Sequence, residues 1–173
     1  MNRIAKTLLT VFALTILIPK PVFAEDLPLE DLSPEKTGLI STNCASIKFY
    51  LKELQKADSK ARVTLGAKYE SILNNFMTPF GVRLLKNNID LGNLSSLQAS
   101  FSTNKSELSE HFKDYSRSFE HLLTKDCTSD PSGFYDELQT VRSKRAELYA
   151  IVTDNHSIAE TYLIGVNEIR ERL

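Results

Sequence analysis

The last forty residues of this chain leave little choice of fold. Stepping from Phe134 by four and three residues in alternation reaches Leu138, Val141, Arg145, Leu148, Val152, Asn155, Ala159, Tyr162, Val166, Ile169 and Leu173. Nine of those eleven stops are apolar, and no proline interrupts the run. Such an alternation predicts one long helix with a narrow apolar seam, packed on other helices in the manner of a coiled coil. At 1.5 Å per residue it would be about 60 Å long, more than a compact globule of this mass requires.

Two further segments carry the same step. One should start near Ser41-Thr42-Asn43, three good N-cap residues in a row. Its seam runs Ile47, Leu51, Leu54, Asp58, Ala61, Leu65, Tyr69, Ile72 and Phe76. Gly66 inside it costs about 1 kcal/mol relative to alanine and reads as a point of close approach by a neighbour. Pro79 should end or kink this helix, with a short helical piece over 80–89 and a turn at Asp90-Leu91-Gly92-Asn93. The next segment places Leu94, Leu97, Phe101, Leu108, Phe112, Tyr115, Phe119 and Leu122 on its seam, with a polar gap at Asn104 or Lys105. The expected architecture is all-α: an elongated antiparallel three-helix bundle with a short extra helix after Pro79. Few glycines and prolines, no tryptophan and a quarter of charged residues agree with a helical class.

Two cysteines, Cys44 and Cys127, fall at one end of the hairpin that the first two long helices would make. In an exported chain such a pair is most simply a disulfide; a two-thiol metal site lacks other ligands at useful spacing. Counting from that end sets two levels. Asp58 and Arg145 each lie 14 residues along their helices, and Asn104 and Asn155 lie 23 and 24 residues along theirs. A buried ion pair and a buried amide pair would fix register at some cost in stability. The other reading of these four residues is a polar ligand pocket inside the bundle.

The amino terminus has the order of a secretory signal. Arg3 and Lys6 precede an uncharged, mostly apolar run over 7–18; Pro19 and Pro21 break it, and Val22-Phe23-Ala24 supplies small residues before Glu25. The run is short for a membrane span, which needs roughly 20 residues; an uncleaved anchor is the alternative. Residues 25–40 hold five carboxylates, two prolines and a glycine and read as an acidic, extended arm, poorly ordered without a partner. The bundle domain then spans 41–173. After removal of the signal, 18 basic residues face 22 acidic ones, a formal charge of −4. That balance argues against nucleic acid, whose binding rests on neutralising phosphates.

The segment from Cys44 through Lys86, with ADSKARVTLGAKYESIL followed by FM, PF and RLLKNN, resembles a family of small secreted helical proteins from candidate-phylum, Saccharibacteria-type bacteria. The second half, DC followed by DPSGFYDELQTVRSKRAEL, resembles the same group. The resemblance covers most of the chain beyond the signal. It implies a bacterial, exported, all-helical protein and assigns no activity and no catalytic residue.

Chemistry-bearing motifs are sparse. His111 and His121 lie ten residues apart, so about 80° apart around one helix and roughly 15 Å along it; they cannot share a metal. His156 stands alone, and neither Glu-x-x-His nor His-Glu-x-x-His occurs. Glu107 and His111 sit at i,i+4, which reads as a solvated face. Met77, beside Phe76 and Pro79, reads as core and not as a haem ligand. Ser102-Thr103-Asn104-Lys105 and Lys36-Thr37-Gly38 match two motifs of penicillin-interacting enzymes, but in reversed order and without that fold's sheet. No catalytic residue, metal site or cofactor is therefore expected. Phe80, Val82, Arg83 and Leu84, at the kink that the third long helix overhangs, are the candidate recognition tip. The functional expectation is a non-enzymatic, secreted or cell-envelope bundle that binds another protein or itself. A small-ligand or cofactor binder using the polar layers is the alternative.

Overall fold

The computed structural model describes residues 32–172. The expected signal and the first part of the acidic arm lie outside the described residues. The elements are α1 (Pro34–Thr42), α2 (Cys44–Ile72), a π-helical turn (Leu73–Met77), α3 (Thr78–Lys86), α4 (Leu94–Thr124) and α5 (Pro131–Arg172). The chain is all-α, as its periodicity requires. Three long helical runs build the bundle: α2 continued through α3, then α4, then α5.

Antiparallel register along α4 and α5 can be read from their side-chain pairs. Asn104 donates to Asp154, His111 meets Glu147 at 3.4 Å, and His121 meets Glu137 at 2.9 Å. From one pair to the next, the α5 residue moves back by as many positions as the α4 residue moves forward. The core between them is built on a seven-residue repeat, with Phe119 on α4 and Gly165 on α5 buried besides. On α4, Leu94, Phe101, Leu108, Tyr115 and Leu122 are buried; on α5, Phe134, Val141, Leu148, Asn155, Tyr162 and Ile169 are. The alternate stops of the α5 seam, Leu138, Val152, Ala159 and Val166, are only half-buried, and Arg145 is exposed. A straight helix drifts by about 20° per heptad, so a strict seven-residue repeat keeps one line of side chains on the partner only if the helices wind around one another.

Two turns set this register. At the disulfide end, the Asp130 carboxylate accepts the Gly133 N–H at 2.9 Å and Pro131 takes the first position of α5, where its missing N–H costs nothing. Asp126 accepts from Thr128 N–H at 2.9 Å and from the Ser129 hydroxyl at 2.8 Å. Those bonds, the Ser129 hydroxyl first, hold the Asp126 carboxyl below its usual range. At the far end, Asn88 and Gly92 both adopt positive φ, 57° and 53°, which closes the α3–α4 connection. Gly165 allows α5 to approach the start of α4: a Cβ there would lie 2.7 Å from Leu94 Cδ2.

Local structure departs from the sequence reading in four places. Pro34–Thr42 is helical, not extended. Ser33 caps it, accepting the Lys36 N–H at 3.3 Å, and Pro34 starts it. The Ser-Pro-Glu signal for a helix start was present but masked by the acidic composition around it. Asn43 is a junction, not the side-chain N-cap of α2. Its amide donates to Leu39 O at 2.9 Å and so finishes α1.

Pro79 interrupts the helix without ending the run, and the expected short helix, α3, follows. The π turn ahead of it lets Thr78 N–H reach back to Leu73 O, a wider spacing that relieves the clash a proline ring makes with the carbonyl four residues earlier. The wider turn also rotates the buried face. Tyr69, Leu73 and Met77 are the buried residues there, while Phe76, an expected seam residue, is 38% exposed. Finally, Gly66 marks no close approach, since a Cβ there would meet nothing within 4 Å.

Candidate functional site

Cys44 and Cys127 form a disulfide with Cα atoms 5.5 Å apart. Cys127 is buried, and the Ser41 hydroxyl donates to Thr128 O at 3.1 Å beside it. The start of α2 is thereby tied to the α4–α5 turn by a covalent bond, and the end of α1 by a hydrogen bond.

Fourteen residues along their helices, Asp58 and Arg145 meet as their shared level predicts. Arg145 Nε donates to Asp58 Oδ2 at 2.9 Å and Nη2 to Oδ1 at 3.0 Å, a two-pronged pair. The Tyr115 hydroxyl also donates to Asp58 Oδ2, at 2.5 Å. Each long helix thus contributes one member. Burial, then the Asp58 carboxylate, pushes the Tyr115 phenol far above its ordinary range. Asp58's hydrogen bonds raise the Arg145 guanidinium in turn. The Asp58 side chain is 17% exposed and that of Arg145 51%, so one edge of the cluster faces water. Tyr115 was the member that sequence reasoning missed. Its signal existed: it lies 12 residues back from Cys127 on the α4 seam, within a turn of the Asp58 level.

The second expected layer does not pair. Asn104 is half-buried at the edge of the seam and donates to Asp154. Asn155 is fully buried, with neither amide atom hydrogen-bonded. The two lie at one level, but Asn155 occupies the innermost heptad position of α5, whereas Asn104 flanks the innermost positions of α4, Phe101 and Leu108. The Tyr69 hydroxyl is near enough to Asn155 for the amide to offset part of the rise that burial imposes on the phenol, yet it lies outside hydrogen-bonding geometry.

At the far end, Tyr162 OH donates to Met77 O at 3.2 Å, and Met77 is core. Phe76 packs edge-on against Tyr162 at 5.8 Å and stacks on Phe80 at 6.2 Å. Of the expected tip residues, Val82 and Arg83 are exposed and Phe80 is half-buried. Leu84 is a correction: at 5% exposure it anchors α3, and its neighbour Leu85, 60% exposed, faces outward instead. Among the described residues, Phe76, Val82, Leu85, Leu163 and Ile164 make up half of the ten large hydrophobic residues that stand exposed.

Among the described residues, no helix is long and apolar enough to cross a membrane, and no three His, Cys, Asp or Glu side chains are grouped to hold a metal ion. No protein-family model, curated protein or solved structure matches the chain.

Proposed function

We propose that this chain is an exported, non-enzymatic helical bundle of the bacterial envelope or exterior that binds another protein, or a second copy of itself, through the end opposite its disulfide. The observation that carries the reading is that Phe76, Val82, Leu85, Leu163 and Ile164 stand exposed on the π turn, α3 and the last turns of α5. Large apolar groups left open to water at one end of a bundle are available to a partner. Export is supported by the signal-like order of residues 1–24 and by the disulfide. The acidic balance of the remaining chain disfavours nucleic acid as the partner.

A second reading, a small-ligand or cofactor bundle, draws on Asn155, whose two buried amide atoms have no partner. In that reading Asp58→Ala would abolish ligand binding, while in the first it would chiefly lower stability.

The test is site-specific photocrosslinking in the producing cell, with the crosslinker at Val82 or Leu85 and, as control, at the exposed Lys52 of α2. A discrete protein adduct from the two tip positions and none from Lys52 is the expected result. Equal adducts from all three positions, or none from the tip, would overturn the proposal. A native mass spectrum of the same material reports self-association, and a retained small molecule would move the argument to the second reading.

A further inference from the structure

Gly66 stands in the interior of α2, where glycine costs helix stability relative to alanine. Elsewhere in the bundle that cost is repaid by close approach, as at Gly165. At Gly66 nothing lies within 4 Å of where a Cβ would be. The missing side chain leaves room instead, in a groove of about 330 Å³ between α2 and α4. Tyr69 and Leu108, both nearly inaccessible to water, give it an apolar floor, and Val63 forms an apolar rim.

The polar lining is cationic. Arg62 comes from α2, and Lys105 from α4. The Arg62 guanidinium donates to Ser109 Oγ at 3.3 Å and lies 5.3 Å from the centre of the Phe112 ring. Among the described residues it has no carboxylate partner. Lys105 pairs with Glu70, which stands at 51% exposure on the same side. A half-buried arginine fixed by a hydroxyl and an aromatic face, without a counter-charge, is a preorganised anion receptor. Apolar surface beside it selects the rest of the ligand.

We infer that the α2–α4 groove binds a small amphipathic organic anion, its charged head between Arg62, Ser109 and Lys105 and its apolar body on Leu108 and Tyr69 in the space that Gly66 leaves. This site is separate from the tip, and its occupancy does not depend on the protein-binding reading.

The test uses the disulfide-intact chain and two fluorescent probes: anilinonaphthalene sulfonate, and phenylnaphthylamine as its uncharged counterpart. The sulfonate should bind saturably at one site per chain, about tenfold more tightly than the neutral probe. Arg62→Gln should remove that advantage without changing the neutral probe. Glu70→Gln, which deletes the competing carboxylate, should tighten the sulfonate several-fold and leave the neutral probe unchanged. Gly66→Leu should abolish binding of both, with an unchanged helical spectrum and thermal midpoint showing that the variant folds. Three results would overturn the inference: equal affinity for both probes, no saturable binding of the sulfonate, or full retention of binding in Gly66→Leu.

Discussion

The α4–α5 pair and residues 44–68 of α2 obey the same sequence rule and end in different states. Both have apolar residues every three and four positions. On α4 and α5 at least one residue in every seven is shut away from water along the whole length. Over residues 44–68 of α2 none is: Cys44, Ile47, Leu51, Leu54 and Leu65 are all half-buried, and Phe49, Tyr50 and Val63 are at least 60% exposed. The paired helices hold each other through close packing. The helix α2 is held at particular points: the disulfide at one end, the Asp58 cluster in the middle, and the aromatic group around Tyr69 and Phe101 toward the other. A seam therefore shows that a helix will lie on something and leaves open how tightly.

The largest way to break that contrast is to cut the covalent tie. Replacing Cys44 and Cys127 by serine opens a loop closed over a separation of 83 residues, worth about 4–5 kcal/mol in the chain-entropy account. Amide hydrogen exchange should then show α2 losing protection at lower denaturant than α4 and α5. Simultaneous loss along all three helices would refute point attachment.

Next in size is a matched pair of truncations. Leu122→Ala, at a fully buried position of α4, should cost about 2–5 kcal/mol. Leu51→Ala, half-buried on α2, should cost less than half as much by urea unfolding. Equal costs would mean that α2 packs as tightly as the pair.

Asn155 offers the opposite sign. An unpartnered buried amide costs about 1–3 kcal/mol, so Asn155→Leu should raise the unfolding free energy by about 1–2 kcal/mol, provided the larger apolar shape fits. A fall in stability would show that the amide is satisfied in solution.

The smallest expected effect is on pH dependence. The Tyr69, Tyr115 and Tyr162 phenols are all raised above the ordinary 10.0, chiefly by burial. The unfolded chain therefore loses these protons first. Their contribution is complete below about pH 10 and declines as pH rises toward the folded-state values. Tyr115→Phe should flatten the alkaline fall in the urea midpoint, and an unchanged fall would show that this phenol is not its source.

Periodicity made the helices legible because a 3/4 step over thirty or forty residues has few other physical explanations. The cysteine pairing followed from helix lengths, and so did the meeting of Asp58 with Arg145, since rigid rods of known rise place equal counts at equal heights. The same count brought Asn104 and Asn155 to one level and still failed to pair them. Height along a rod says nothing about which way a side chain points around it, and the relative rotation of α4 and α5 decided that. At Pro79 the sequence left two outcomes open, an end or a kink, and packing chose between them: a proline can be absorbed by widening the preceding turn when the packing of Met77 and Tyr162 holds the run in place.

What the sequence determined by itself was local and additive: three amphipathic helical runs, their lengths, their antiparallel order and the disulfide that pins them. What only the tertiary structure decided was relational. It made one heptad position of α5 inner and the next merely flanking, drew Tyr115 into the Asp58–Arg145 pair, and buried Leu84 while leaving Leu85 out. It also left Gly66 open on a cationic groove. Hydrophobic spacing sets which side of each helix turns inward, but the rotation and separation of helices come from how all the side chains pack at once, and no single segment contains that information.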